Sequence, residues 1–299
     1  MGLTTRVQAW QRRGERVPVS SGHRLFVVHQ PGEQPPIVLL HGFPSSSYDW
    51  RAPLDEPRLR EREVLAFDFL GFGLSDKPAQ KNSLMTQADL AQELVARFLP
   101  ERPLLLVAHD MGTSVATELF AREIEGAATI PITRALLLNG SMLLHLAKPT
   151  IGQQLLRSRA GPLLARLSSE RVFRQQLGSV FSVSHPLSAA EAADQWSLFK
   201  HLNGHRRGHD QVAYMEQRLR YAERWHGALR DWPGQLSLLW GLKDPVARVE
   251  VLRGIQDLRP GVAVTELPYV GHYPQIEDPP EVAQLVGRLV SEATSGRGR

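Results

Sequence analysis

The stretch Leu104-Leu-Leu-Val-Ala-His-Asp-Met-Gly-Thr-Ser-Val-Ala116 passes from a run of apolar residues, through a reactive side chain set among small ones, into a helix-patterned segment. In such a strand–turn–helix junction the central residue, Asp110, is pushed out over the edge of the sheet. The turn is tight, so Ala108 and Gly112, two residues to either side, have to be small for strand and helix to approach. At the start of a helix the Asp110 carboxylate also meets free amide N–H groups and the positive end of the helix dipole, and both favour its ionised form. An ordinary N-cap aspartate is the plainer alternative, and the segment as a whole weighs against it.

Other short apolar runs that end in glycine-containing loops and lead into helix-patterned segments occupy residues 37–40, 64–67, 135–138, 236–240 and 262–267, in series with 104–108. Buried parallel strands alternating with helices read in this way. Ahead of them, residues 17–19 and 25–29 predict an antiparallel hairpin at the sheet edge, turning at Ser21-Gly22. The fold class is therefore α/β, with a mostly parallel central sheet flanked by helices. Strand signals stop from about residue 141 to residue 228, where the chain is helical in pattern and rich in Leu, Arg and Gln, and they resume at Gln235. An inserted helical cap accounts for the gap. It divides the chain into a first core segment (1–142), the cap (143–228) and a second core segment (229–299), with residues 294–299 read as a frayed tail.

With 42% of its 299 residues hydrophobic, the chain can bury a full core. Thirty-five basic against 31 acidic side chains leave a net charge of +4. The arginines are spread along the sequence, with no basic block interleaved with aromatics, so nucleic acid is not an expected partner. The absence of cysteine excludes disulfides, thiolate catalysis and cysteine-ligated metals, and makes the cytoplasm the default compartment. No apolar run is long enough to span a bilayer, and residues 1–14 hold no apolar core of a signal segment. Gly2 invites myristoylation, but Arg6 stands where that signal wants Ser or Thr.

Two further patterns point elsewhere and are weaker. Gly71-Phe-Gly73 after Asp68 resembles half of a dinucleotide fingerprint, yet position 76 is Asp rather than a third Gly, which predicts a strand-to-helix turn. His201, His205 and His209 recur every four residues, but Gly204 and Gly208 interrupt the helix that would align them on a metal. Neither a cofactor nor a metal is expected.

His41-Gly42-Phe43-Pro44 follows the strand at 37–40, where the amide of Phe43 can pair with that of Met111 as an oxyanion hole. Asp244 lies in Gly241-Leu-Lys-Asp-Pro245 beyond the strand at 236–240, and His272 lies in Val270-Gly-His-Tyr-Pro274 beyond the strand at 262–267. Both are C-terminal strand ends, where an open α/β sheet places its site. Alone, an Asp-Pro loop or a Gly-His turn is usually structural. In the order nucleophile, acid, histidine the three residues read as a triad.

With these residues in hand, the chain resembles the α/β-hydrolase superfamily over nearly its whole length. Within it, the likeness is to the branch of epoxide hydrolases and haloalkane dehalogenases that uses an aspartate nucleophile, and closest to the mesoderm-specific transcript protein-like hydrolases. It rests on His41-Gly-Phe-Pro-Ser-Ser-Ser-Tyr-Asp-Trp50, Phe67-Asp-Phe-Leu-Gly-Phe-Gly-Leu-Ser-Asp-Lys-Pro78, His109-Asp-Met-Gly112, Leu138-Asn-Gly140, Arg224-Trp225 and His272-Tyr-Pro-Gln-Ile-Glu-Asp-Pro279.

The resemblance implies a covalent route. Asp110 attacks a saturated carbon to form an alkyl–enzyme ester, and His272, oriented by Asp244, activates water against it. Two tyrosines usually protonate the opening ring in epoxide hydrolases. Tyr214 lies about where the second would be, and no tyrosine occupies the first half of the cap. Haloalkane dehalogenases usually place Trp after the nucleophile and often Asn after His-Gly, where this chain has Met111 and Phe43; Trp196 is the cap residue that could replace them. Fluoroacetate dehalogenases follow the aspartate with Arg, which is absent here. Asn139 and His109 complete the set, as residues supporting the site or contacting substrate. Epoxide opening is the first reading and dehalogenation the second, with an esterase-like or non-catalytic ligand-binding protein as a further alternative. The expected partners are water and a small to medium apolar molecule, and self-association is left open.

Overall fold

The structure, a computed structural model, describes residues 2–100 and 102–295, with side chains to residue 292. Eight strands form one sheet: β1 (Glu15–Pro18), β2 (Arg24–Gln30), β3 (Glu33–Leu40), β4 (Arg62–Phe67), β5 (Leu104–His109), β6 (Ile132–Leu138), β7 (Gln235–Gly241) and β8 (Ala263–Leu267). Their spatial order is β1-β2-β4-β3-β5-β6-β7-β8. β1 and β2 are antiparallel and β2 pairs antiparallel with β4, while every pairing from β4 to β8 is parallel.

Helices cover both faces, which is why the central strands read as continuous apolar runs rather than alternating ones. The pleat sends Ile37, Leu39, Leu105 and Val107 to one side and Val38, Leu40, Leu104 and Leu106 to the other. The first side packs on Thr5–Gln11, Arg51–Asp55 and Pro279–Ser295 through Val7, Trp10, Leu54 and Val286. The second packs on Leu84–Phe98, Met111–Ile124, Ala222–Asp231 and Val249–Leu258 through Leu94, Leu119, Leu229 and Ile255.

Between β6 and β7 the chain forms the helices Ile151–Arg157, Gly161–Arg166, Glu170–Gly178, Ala189–Lys200, Gly208–Gln211 and Tyr214–Arg220. A 3-10 segment, His201–Arg207, interrupts them, and within it Leu202 and Asn203 take left-handed backbone angles. Two buried side-chain bonds fasten this insertion to the loop after β3. Gln195 Nε2 donates to Asp49 Oδ1 (2.7 Å) and Tyr48 Oη to Asp194 Oδ2 (2.6 Å). The helix Ala222–Asp231, which follows those helices ahead of β7, packs on Met111–Ile124, where Trp225 Nε1 donates to Glu118 Oε2 (2.9 Å). The tail read from residue 294 begins inside the helix Pro279–Ser295, and residues 296–299 lie outside the described residues. No helix among the described residues is long and apolar enough to cross a membrane.

Candidate active site

Asp110 sits between β5 and the helix Met111–Ile124 with φ 44° and ψ −108°, a backbone conformation disfavoured for a residue with a Cβ. The neighbours make that turn obligatory. A Cβ on Gly112 would stand 2.7 Å from the carbonyl oxygen of His41, and one on Gly42 would stand 2.8 Å from Asp110 Cβ, so the loop after β3 can meet the elbow only through glycines. Phe43 N–H donates to Asp110 Oδ2 (3.0 Å). His41, behind it, is neutral: burial, with the nearby His109, pulls its pKa down to about 3, and its Nε2 accepts Phe69 N–H (3.0 Å).

His272 Nδ1 bonds Asp244 Oδ2 at 2.7 Å. Asp244 in turn accepts Asn139 Nδ2 (2.8 Å) at the same oxygen and Val246 N–H (2.7 Å) at the other. The loop that carries His272 is tied down by Glu277, whose carboxylate accepts the N–H groups of Gly271 (2.8 Å), Tyr273 (3.1 Å) and Ser182 (3.0 Å). Burial alone would lower the pKa of His272, but the Asp244 carboxylate, with Asp110 beyond it, raises it to about 9. Asp110 moves the other way. Burial pushes it up, and the charges of Arg218, His272 and His109 together with the Phe43 amide bring it below the usual carboxylate range.

Arg218 escaped the sequence reading. It is 2% exposed, its Nη2 lies 3.5 Å from Asp110 Oδ1 and donates to the Asp110 carbonyl (3.0 Å), and its Nε donates to Ser114 Oγ (2.8 Å). The guanidinium stacks 4.7 Å from the centre of the Tyr214 ring. Nothing in an amphipathic pattern separates this arginine from the solvated ones around it; only the packing of Tyr214–Arg220 against the elbow does.

The other expected residues fall at different depths. Tyr214 is fully buried, its ring 5.7 Å from that of Phe43, and its hydroxyl accepts Gln153 Nε2 (3.1 Å). Burial and the charge of Asp110 raise the pKa of Tyr214, so the phenol keeps its proton. Met111 N–H makes no hydrogen bond to the Asp110 carboxylate, and the Met111 side chain is buried with its sulfur against Asn82.

A cavity of about 290 Å³ opens between the sheet edge and the insertion. Phe43, His272 and Tyr273 wall it from the core, and Gln153, Leu156 and Phe173 from the insertion. Trp196, His109 and Asn139, expected as substrate contacts, are not among its walls. Trp196 packs on Phe173, Phe199 and His205, because its helix turns that face into the aromatic cluster of the insertion. His109 Nε2 donates to the carbonyl of His272 (2.7 Å), and Asn139 bridges Asp244 and Gly241. Both are completely buried and hold the site from behind.

Residues 37–285 match the alpha/beta hydrolase family. The chain belongs to that family. It is 47% identical over 285 residues to LipZ of Mycobacterium tuberculosis, an alignment covering 95% of this chain and 98% of that one. The mesoderm-specific transcript protein of Mus musculus is 32% identical over 287 residues, covering 93% of this chain and 85% of that protein. Among solved structures, an alpha/beta hydrolase fold protein from Burkholderia ambifaria superposes with a TM-score of 0.74 at 25% identity, over 91% of this chain and 96% of the other. Family membership supports hydrolase activity on a small molecule with water as co-substrate.

Proposed function

We propose that this alpha/beta hydrolase acts through the carboxylate of Asp110 as nucleophile, and that its substrates are apolar epoxides opened to diols, with the inserted helices as the cap over the site. The observation that carries this reading is the identity of the side chain at the elbow. It is a carboxylate, ionised by Arg218 and by its other neighbours, set beside a Phe43 amide and a His272–Asp244 pair. An ionised carboxylate needs no base to attack, which leaves His272 for a second step.

In that scheme one Asp110 oxygen bonds to a ring carbon, the ring C–O bond breaks, and the alkoxide takes the proton of Tyr214. Esterification removes the Asp110 charge, and with it one of the causes of the raised His272 pKa, so the imidazolium releases its proton to solvent more readily and the neutral ring is available to accept one from water once the ester has formed. Water then attacks the ester carbonyl as His272 takes its proton, and the Phe43 amide holds the oxyanion. Collapse expels the diol, protonated by His272, and regenerates the carboxylate. The remaining proton returns to Tyr214.

Neither Trp196, on which halide stabilisation would rest, nor Tyr214 is among the cavity walls; Trp196 packs into the aromatic cluster of the insertion, whereas the buried, protonated Tyr214 sits against the wall residue Phe43 and within the field of Asp110. That contrast favours epoxides over haloalkanes. The test is trapping: His272→Gln is incubated with a panel of epoxides and haloalkanes, and the intact protein is weighed. An added mass equal to a whole epoxide, absent when Asp110→Asn is combined with it, is the expected result. An added alkyl group without its halogen overturns the substrate class, and a folded protein that gains no mass from any compound overturns the nucleophile.

A further inference from the structure

Large apolar side chains left in water concentrate on one part of this molecule. Ile151, Leu155, Leu163, Leu167 and Val172, all on the helices Ile151–Arg157, Gly161–Arg166 and Glu170–Gly178 or their connections, are 70%, 48%, 60%, 69% and 52% exposed. Three of them, Leu155, Leu167 and Val172, also wall the cavity that reaches His272, so the exposed patch and the mouth of the cavity are continuous. Soluble domains rarely leave an apolar patch of this kind without a partner.

The same stretch carries Arg157, Arg159, Arg166, Arg171 and Arg174 against one acid, Glu170, and none of the five arginines forms a salt bridge among the described residues. Beside the patch lies a recess of about 470 Å³ lined by Lys77, Arg166, Arg206, Arg207, His209 and the exposed Leu202. Asp210, bonded to Arg207, is the acid at its side. The helix Gly161–Arg166 divides the two hollows: Leu164 and Ala165 face the apolar cavity, Pro162 and Arg166 the basic recess.

We propose that this face of the cap docks on the surface of an anionic lipid bilayer. The five apolar side chains would enter the acyl boundary, and the arginines and the recess would meet phosphate headgroups, which is the division of labour of interfacial protein surfaces. A symmetric pairing of two copies would also cover the apolar residues, but a two-fold axis would set the same cationic face against itself. An anionic lipid surface answers both halves of the patch. Docking places the mouth of the cavity at the lipid phase, so an apolar substrate need not cross water. Only that use of the cavity rests on the proposed hydrolase reading; the docking itself does not.

Flotation with phosphatidylcholine vesicles, with and without phosphatidylglycerol, tests the proposal on the full chain and on Asp110→Asn. The wild type should float with the phosphatidylglycerol vesicles and dissociate at high salt. Leu163→Asp/Leu167→Asp should stay in solution, and Arg166→Gln/Arg206→Gln should bind about tenfold more weakly. The proposal is overturned by a folded protein that ignores phosphatidylglycerol vesicles, by equal binding to both vesicle types, or by binding that survives the two aspartates. A dimer in light scattering that these aspartates dissociate, without vesicle binding, overturns it in favour of self-association. An inactive Asp110→Asn that floats like the wild type leaves docking intact whatever becomes of the chemistry, and an active protein that never floats overturns docking alone.

Discussion

On the sheet side of the cavity each candidate catalytic group is buried and held by a partner from another element: Asp110 by Phe43 and Arg218, His272 by Asp244, and Asp244 by Asn139. On the side of the insertion, the rim residues Leu155, Leu167 and Val172 stand exposed, and the neighbouring Arg157, Arg159, Arg166, Arg171 and Arg174 form no salt bridge among the described residues. Groups that must act at fixed angles are placed at strand ends, where the ladder fixes the backbone to a few tenths of an ångström. Groups that meet a variable ligand or a surface sit on short helices that carry little of the core. The contrast assigns different consequences to mutation on the two sides.

The largest expected effect is on the chemistry. Asp110→Asn keeps the shape of the side chain but removes the proposed nucleophile, and turnover of any accepted substrate should fall by about 10⁴-fold or more in steady-state assays. A milder loss would place the nucleophile elsewhere and remove the basis of the contrast.

Stability should respond next. Arg218→Met leaves the Asp110 carboxylate buried without its cation, which should cost about 3–5 kcal/mol in urea unfolding. A loss below about 1 kcal/mol would show that the pair is not required to hold the elbow.

The pH dependence gives a third, smaller signal. His272 has a folded pKa of about 9 against an ordinary value of 6.5, so its contribution to stability is fully present below pH 6.5 and is lost as the pH rises through about 9. Over that window the wild type should lose on the order of 2–3 kcal/mol relative to His272→Gln. A difference between the two proteins that stays flat from pH 6.5 to 9.5 would show that Asp244 and Asp110 do not hold the imidazole charged. The smallest effect belongs to the exposed rim: Leu167→Ser should change unfolding free energy by no more than about 0.5 kcal/mol. A larger loss would make that rim part of the folded core and narrow the contrast.

Much of the sheet side was legible in the sequence because its signals are local. The apolar runs at 37–40, 64–67, 104–108, 135–138, 236–240 and 262–267 lie at or within a residue of β3 to β8, and the hairpin ahead of them corresponds to β1 and β2. A buried strand followed by a tight turn declares itself in consecutive residues, as does the position of a side chain at the strand's end. So Asp110, Asp244 and His272 could be named, and the structure brings them to one edge of the sheet.

What faces what within the insertion was not legible. Trp196 reads the same whether its helix turns it to a substrate or to Phe173 and Phe199, and Arg218, in a stretch full of arginines, becomes singular only when Tyr214–Arg220 is laid across Asp110. The sequence by itself determined the strands, the elbow and the order of the chemical groups, because each is written in neighbouring residues. Tertiary structure alone decided the cation beside Asp110, the partner of the Tyr214 hydroxyl and the walls of the cavity, because short helices of similar composition can pack in many orientations and only their contacts with the sheet select one.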